Sequence, residues 1–283
     1  MSVKLIIDSA SDISLEEAKK LGITMVPMGV RFNEEEYLDG VNLTPNQFYD
    51  KLIENTDLPK TSQVNPYTFE EEYDKLVPQG HDVVVITISS KLSGTYRSAC
   101  EAAKKYEGKV FVVDSLNACI GERLLGLYAI RLIKEDVLTA SEIATKLNEV
   151  KSKINVLAML NTLKYLKKGG RISAVTAFAG EVFSIKPVIG VIEGEVKMVG
   201  KAMGSKKGNN LLSSLVEKKG GIDFSMPYGV VWSGNDDSML KKYVVDSAHL
   251  WEGHTDNVPA YMIGSTIGTH VGPGAIGVAF FEK

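Results

Sequence analysis

Three polar, glycine-containing segments stand where apolar runs end, and they hold the side chains best suited to chemistry. The first is Pro59-Lys60-Thr61-Ser62-Gln63, which reads either as a set of hydroxyl donors beside a cleft or as a capping turn ahead of Pro66. The second, Ser89-Ser90-Lys91-Leu92-Ser93-Gly94-Thr95, falls between a β-branched run at 83–88 and a helical pattern at 93–106. Open α/β sheets receive ligands beyond the carboxyl ends of their strands, and a helix start offers unpaired N–H groups to an anion such as a carboxylate. There Gly94 is expected to allow close backbone approach, while Ser93 and Thr95 add hydroxyl donors; capping of the helix by Ser93 is compatible with that role. The third segment runs from Gly264 to Gly277 and contains His270, which a glycine-rich turn is expected to present to a cleft.

Other chemistries are poorly served. Gly272-Pro273-Gly274-Ala275-Ile276-Gly277 has the spacing of a dinucleotide fingerprint, but a strand-like run follows where the motif demands a helix. No Walker A sequence occurs. His81, His249 and His254 lack a comparable setting, and the last two are five apart rather than the four of a helical zinc pair, so no metal is expected. A hydrolase triad from Ser93, His270 and one of Asp8, Asp12 or Asp114 is the competing enzymatic reading; the Gly-x-Ser-x-Gly elbow is missing. Arg171, in Gly169-Gly170-Arg171-Ile172-Ser173, places a guanidinium beside a turn after the basic stretch 164–168. The run 174–183 that follows is small or apolar and reads as core or as tunnel wall.

The elements that would hold these groups alternate. Apolar runs at 3–7, 83–88 and 109–113 predict parallel strands. Ser14-Leu15-Glu16-Glu17, Thr44-Pro45-Asn46-Gln47 and Thr139-Ala140-Ser141-Glu142 predict helix starts of capping-box type. A long helical pattern spans 117–135. In the second half, runs at 188–192 and 196–199 flank Glu193-Gly194-Glu195 like a hairpin; strands are predicted at 228–232, 260–263 and 275–281, and helices near 208–218 and 237–251. The expected architecture is α/β in two lobes, residues 1–155 with a parallel sheet and 156–283 with a mixed or antiparallel one.

Composition sets the frame. The 283 residues are 44% hydrophobic and 24% charged with a net charge of −3, which gives no general attraction to nucleic acid or anionic membranes. The N-terminal apolar run is too short for a signal peptide and no stretch reaches the length of a membrane span. Cys100 and Cys119 stand apart, as free thiols in a reducing compartment would. A cytoplasmic location is expected.

Taken together, Asp8-Ser9-Ala10-Ser11-Asp12, Thr61-Ser62-Gln63, Leu92-Ser93-Gly94-Thr95, Val113-Asp114-Ser115, Gly170-Arg171-Ile172 and Gly268-Thr269-His270-Val271-Gly272-Pro273-Gly274 resemble the DegV family. These are fatty-acid-binding proteins that act as acyl-carrying subunits of bacterial fatty acid kinase. The resemblance covers about residues 3–282 and implies a two-lobe fold similar to the first part of dihydroxyacetone kinase. It implies one long-chain fatty acid (palmitate, stearate or oleate type) between the lobes, with no other cofactor and no catalytic residue of the chain's own. Its carboxylate would sit on Thr61 and Ser93, with Ser62, Gly94, Thr95 and His270 around it. A separate kinase would phosphorylate that carboxylate, with Arg171 beside the head group. Many members carry a further arginine where this chain has Met203, which bears on coupling to the kinase. The kinase-like fold also raises a second enzymatic alternative, covalent capture of a ketone by His270.

Overall fold

A computed structural model describes residues 2–172 and 185–283. The small and apolar run at 174–183, and Ser173 before it, lie outside the described residues. The chain opens with β1 (Val3–Asp8), α1 (Leu15–Leu21) and β2 (Thr24–Val26). Ser14 accepts from the Glu17 N–H at the start of α1, but the reciprocal half of the expected capping box is not made. The Glu17 carboxylate turns instead to the guanidinium of Arg123. An ion pair with a buried cation outcompetes a local bond to one backbone N–H.

Next come β3 (Gly29–Phe32), β4 (Glu35–Leu38), α2 (Pro45–Glu54) and β5 (Lys60–Ser62). The three strands form a separate antiparallel sheet in the order β4-β3-β5, backed by Phe48 and Tyr49 of α2. The sequence reading gives a mostly parallel sheet in this half and no sign of this antiparallel one. It also left 59–63 between two alternatives, and residues 60–62 prove to be an edge strand, the cap before Pro66 being Asn65.

Then follow α3 (Pro66–Leu76), β6 (Asp82–Thr87), α4 (Thr95–Ala103), β7 (Val110–Asp114), α5 (Ile120–Glu135) and α6 (Ala140–Val150). The sheet β2-β1-β6-β7 is parallel throughout. Its order reverses between β1 and β6, so a crevice opens beyond their carboxyl ends. The capping boxes at Thr44 and Thr139 both form.

The rest of the chain gives β8 (Ile154–Met159), α7 (Lys164–Gly169), β9 (Ile185–Ile192), β10 (Glu195–Met203), α8 (Gly204–Lys218), β11 (Tyr228–Trp232), α9 (Ser238–Asp246), β12 (Ala260–Met262), α10 (Ser265–Val271) and β13 (Ile276–Phe281). The six strands run β10-β9-β8-β13-β11-β12, antiparallel except for the last pair. A boundary between 155 and 156 therefore falls inside β8, a strand of this second sheet. The β9–β10 hairpin turns on Glu193 and Gly194, both at positive φ, as a two-residue turn matching strand twist requires. Ser89, just after β6, donates to the Gly194 carbonyl (2.8 Å), so the hairpin tip rests on the crevice of the first sheet. The largest apolar core runs across both sheets, from Ile6 and Val85 to Val156, Val231 and Phe281.

Candidate functional site

Where the carboxyl ends of the parallel sheet face the six-stranded sheet, a largely apolar cavity opens. Its walls include Ile88, Ile120 at the start of α5, Val156 of β8, Ile189 of β9 and Val231 of β11. One face of α10 adds Ile267 and Val271 at helical spacing, with Ile263 just before the helix. The cavity has a volume of about 100 Å³, and with its mouth and the solvent open to it the empty space comes to about 890 Å³.

Polar groups gather at one end. Thr61, Ser62, Gln63, Ser93, Arg171 and His270 all belong to the wall. Thr61 Oγ1 lies 2.9 Å from His270 Nε2, joining residues 209 apart in sequence. With the proton on Nε2 the ring donates to Thr61, and the threonine keeps its own proton for a ligand. Ser93 is arranged in the same way. The Val64 N–H donates to Thr95 Oγ1 (3.3 Å), and Thr95 Oγ1 lies 2.9 Å from Ser93 Oγ. When Thr95 gives its proton to Ser93, the serine O–H is left to point outward. Two hydroxyls supported from behind in this manner suit an acceptor-only group such as a carboxylate.

Not every candidate residue reaches the cavity. Thr95 is fully buried behind Ser93, and neither it nor Gly94 is part of the wall among the described residues. Gly94 has an ordinary φ of −75°; what it provides is room, because a Cβ there would collide with the Gln63 side chain. The N-cap position of α4 is Gly94, without a side-chain bond, and the hydroxyl of Ser93 just before it accepts the N–H of Thr95 (3.3 Å) at the helix start. His270 does not sit on a turn either: it lies in the last turn of α10. Gly268 serves packing, since a Cβ on it would lie 2.6 Å from Phe48 Cε1 and 2.8 Å from Tyr49 Oη.

A family model described as "Uncharacterised protein, DegV family" matches residues 2–283. The chain belongs to the DegV family. A DegV domain-containing protein of Halalkalibacterium halodurans is 32% identical over 99% of this chain and 98% of its own. Among solved structures, a DegV family protein from Thermus thermophilus, described for its fatty acid binding, superposes with a TM-score of 0.88 at 29% identity over the whole of both chains. A stearic acid-binding protein from Eubacterium ventriosum does so with 0.84 at 27% identity, over 99% of this chain and 97% of its own.

In this DegV chain the electrostatics of the polar end of the cavity are simple. Burial, and then the charge of Arg171, hold the His270 imidazole down to about 4, so the ring is neutral near pH 7. Arg171 supplies the positive charge; its Nε donates to the Leu92 carbonyl (3.3 Å) and Nη1 to that of Gly169 (2.6 Å). Among the described residues no carboxylate bonds to His270. Asp8 takes the N–H groups of Ala10 and Ile88, Asp12 that of Gly264, and Asp114 those of Ser90 and Leu116. A triad with an aspartate orienting the imidazole is therefore not assembled.

Unfolded, His270 takes a proton near its ordinary 6.5, while folded it resists to about 4. Between those values the unfolded chain binds more protons, so stability falls as the pH falls through that window. Asp8 and Asp12, pushed up to about 7 by burial, act with the opposite sign between 3.8 and 7. Those two groups are common to wild type and a His270→Gln variant and cancel in their difference. The variant is expected to gain on the wild type by on the order of 2 kcal/mol as the pH drops from about 6.5 to about 4. Urea titrations of both ligand-free proteins at several pH values measure this, and a constant difference across the window rejects a buried neutral imidazole.

Sequence reasoning overlooked Arg123 of α5, 1% exposed, which donates to the Asp12 carbonyl (2.9 Å) and stacks on the Tyr261 ring (3.6 Å to its centre). It also missed Asp39, whose carboxylate accepts from the N–H groups of Ser265 and Thr266 and so caps the helix that carries His270. Both partnerships span more than 100 residues, and neither leaves a local pattern. Cys119 and Thr266, also in the cavity wall, passed unnoticed because each is a single polar residue beside apolar ones.

Proposed function

We propose that the chain binds one long-chain fatty acid, with its hydrocarbon in the cavity and its carboxylate at Thr61, Ser93 and His270. The observation that carries this reading is the pairing of an apolar cavity with two hydroxyls, of Thr61 and Ser93, in its wall at one end. The description of fatty acid binding for relatives of the same fold supports it. Magnitudes agree: burying about fifteen methylenes at ~0.8 kcal/mol each gives on the order of 12 kcal/mol before association costs. Affinity comes from the chain, and the head-group donors set its direction while leaving no buried carboxylate unpaired.

The protein acts on this reading as a carrier without chemistry of its own, presenting the carboxylate to a kinase. Arg171 at the same end suits a transferring phosphoryl group. Met203, at the end of β10 and 59% exposed, contributes no charge to such an encounter. A cytoplasmic setting belongs to the same proposal; among the described residues no helix is long and apolar enough to cross a membrane.

Native mass spectrometry of protein purified from a bacterial host is expected to show about one fatty acid per chain. Its removal should lower the melting temperature, since a ligand bound only by the folded state stabilises it by mass action. Absence of lipid, together with no thermal shift on adding stearate or oleate, rejects the carrier.

A further inference from the structure

The cavity wall is not apolar throughout. Thr266 is 1% exposed, lines the cavity on the inner face of α10, and its Oγ1 has no hydrogen-bond partner. Thr269, one turn on, gives its proton to the Ser265 carbonyl (2.9 Å), the usual resort of a helical threonine. Thr266 has no such helical carbonyl behind it, because α10 begins at Ser265. A hydroxyl buried without a partner is destabilising, and valine would fill the same volume without that cost. A second polar group shares the wall: Cys119, at the start of the sixteen-residue helix α5. Asp12 lies behind Cys119 and the start of α10. Its Oδ1 takes the N–H of Gly264, two residues before Thr266 (2.8 Å), and the Cys119 thiol lies against the same carboxyl group, whose Oδ2 has no partner in hydrogen-bond geometry.

We propose that Thr266 and Cys119 form a polar subsite for a hydroxyl carried on the acyl chain, so that the ligand class includes long-chain hydroxy fatty acids. This rests on the fatty-acid reading of the cavity and refines it. The ligand hydroxyl accepts from Thr266 Oγ1–H and turns its own proton towards Cys119 Sγ, the other polar atom of this part of the wall. Thr266 lies four residues before His270, about 6 Å along the helix. A hydroxyl in the carboxyl-proximal half of the chain is therefore the one that reaches it.

The test compares wild type, Thr266→Val and Thr266→Ser for displacement of a fluorescent fatty acid. The competitors are stearate, a hydroxystearate with its hydroxyl in the carboxyl-proximal half, and one hydroxylated near the methyl end. Thr266→Val is expected to lower the affinity for the carboxyl-proximal isomer relative to stearate roughly 3- to 10-fold. The empty variant should melt at or above the wild-type temperature, and Thr266→Ser should keep the wild-type preference. If stearate binds but the ratio between hydroxystearate and stearate is the same in wild type and Thr266→Val, or is lost in Thr266→Ser, the subsite is overturned and the cavity reading stands. If stearate does not bind the wild type at all, the cavity reading itself falls.

Discussion

A Thr61→Val, Ser93→Ala double variant is expected to bind long-chain fatty acid about 100-fold more weakly than the wild type. Each hydroxyl gives one bond to a charged acceptor, worth about 1.5–3 kcal/mol, and a loss of about 3 kcal/mol corresponds to two powers of ten in affinity. The fold should tolerate both changes. Thr61 is held in β5 by backbone pairing with Val30, and at the start of α4 Ser93→Ala gives up one bond, from the Thr95 N–H, a loss of about 1 kcal/mol. The fatty acid and its methyl ester are titrated in parallel against both proteins. The ester carries no carboxylate, so its affinity is expected to change far less. A loss below 3-fold for the acid would mean that the carboxylate lies elsewhere.

The second large effect concerns stability. Arg123→Ala removes at once the ion pair with Glu17, the bond to the Asp12 carbonyl and the contact over Tyr261. These contacts tie α5 to α1, to the turn after β1 and to β12, and so hold the two sheets together. Loss of one member of a buried charged cluster typically costs 3–5 kcal/mol. Glu17 is about one-third exposed and regains water, which places the expected loss near the lower end, on the order of 3 kcal/mol. Urea unfolding of the empty protein measures it, with Arg123→Met as a companion that keeps the aliphatic stem. A loss under about 1 kcal/mol for alanine would show that the cluster is not a tie between the sheets.

What could be read from the sequence was what its neighbours decide. The parallel strands announce themselves as β-branched runs because both faces are buried, and the caps at Thr44 and Thr139 lie within one turn of their partners. The hairpin turn needs a residue tolerant of positive φ, and Gly194 is visible as such. The three-stranded sheet escaped because its edge strands are short and largely exposed, with no apolar period to betray them. Thr61, Ser93 and His270 were legible as residues, but their arrangement was not. His270 looked like a loop residue because of the glycines around it. The helix there is started by Asp39, 226 residues before Ser265, and Gly268 is set by the pressure of Phe48 and Tyr49. Long-range contacts of this kind fix the site, and they leave no mark in a local window.

Strand β13 lies between β8 and β11, and it is the last strand of its sheet in chain order. On the ribosome, β8 and β11 must therefore wait, each with an unpaired edge, until Ile276–Phe281 emerge. His270 precedes that strand by only a few residues, so it too can reach Thr61 only late in translation. The cavity cannot close until that strand has emerged, and loading must wait at least until then. A stalled nascent chain would expose two sticky edges and hold nothing, which makes it a natural client for a chaperone.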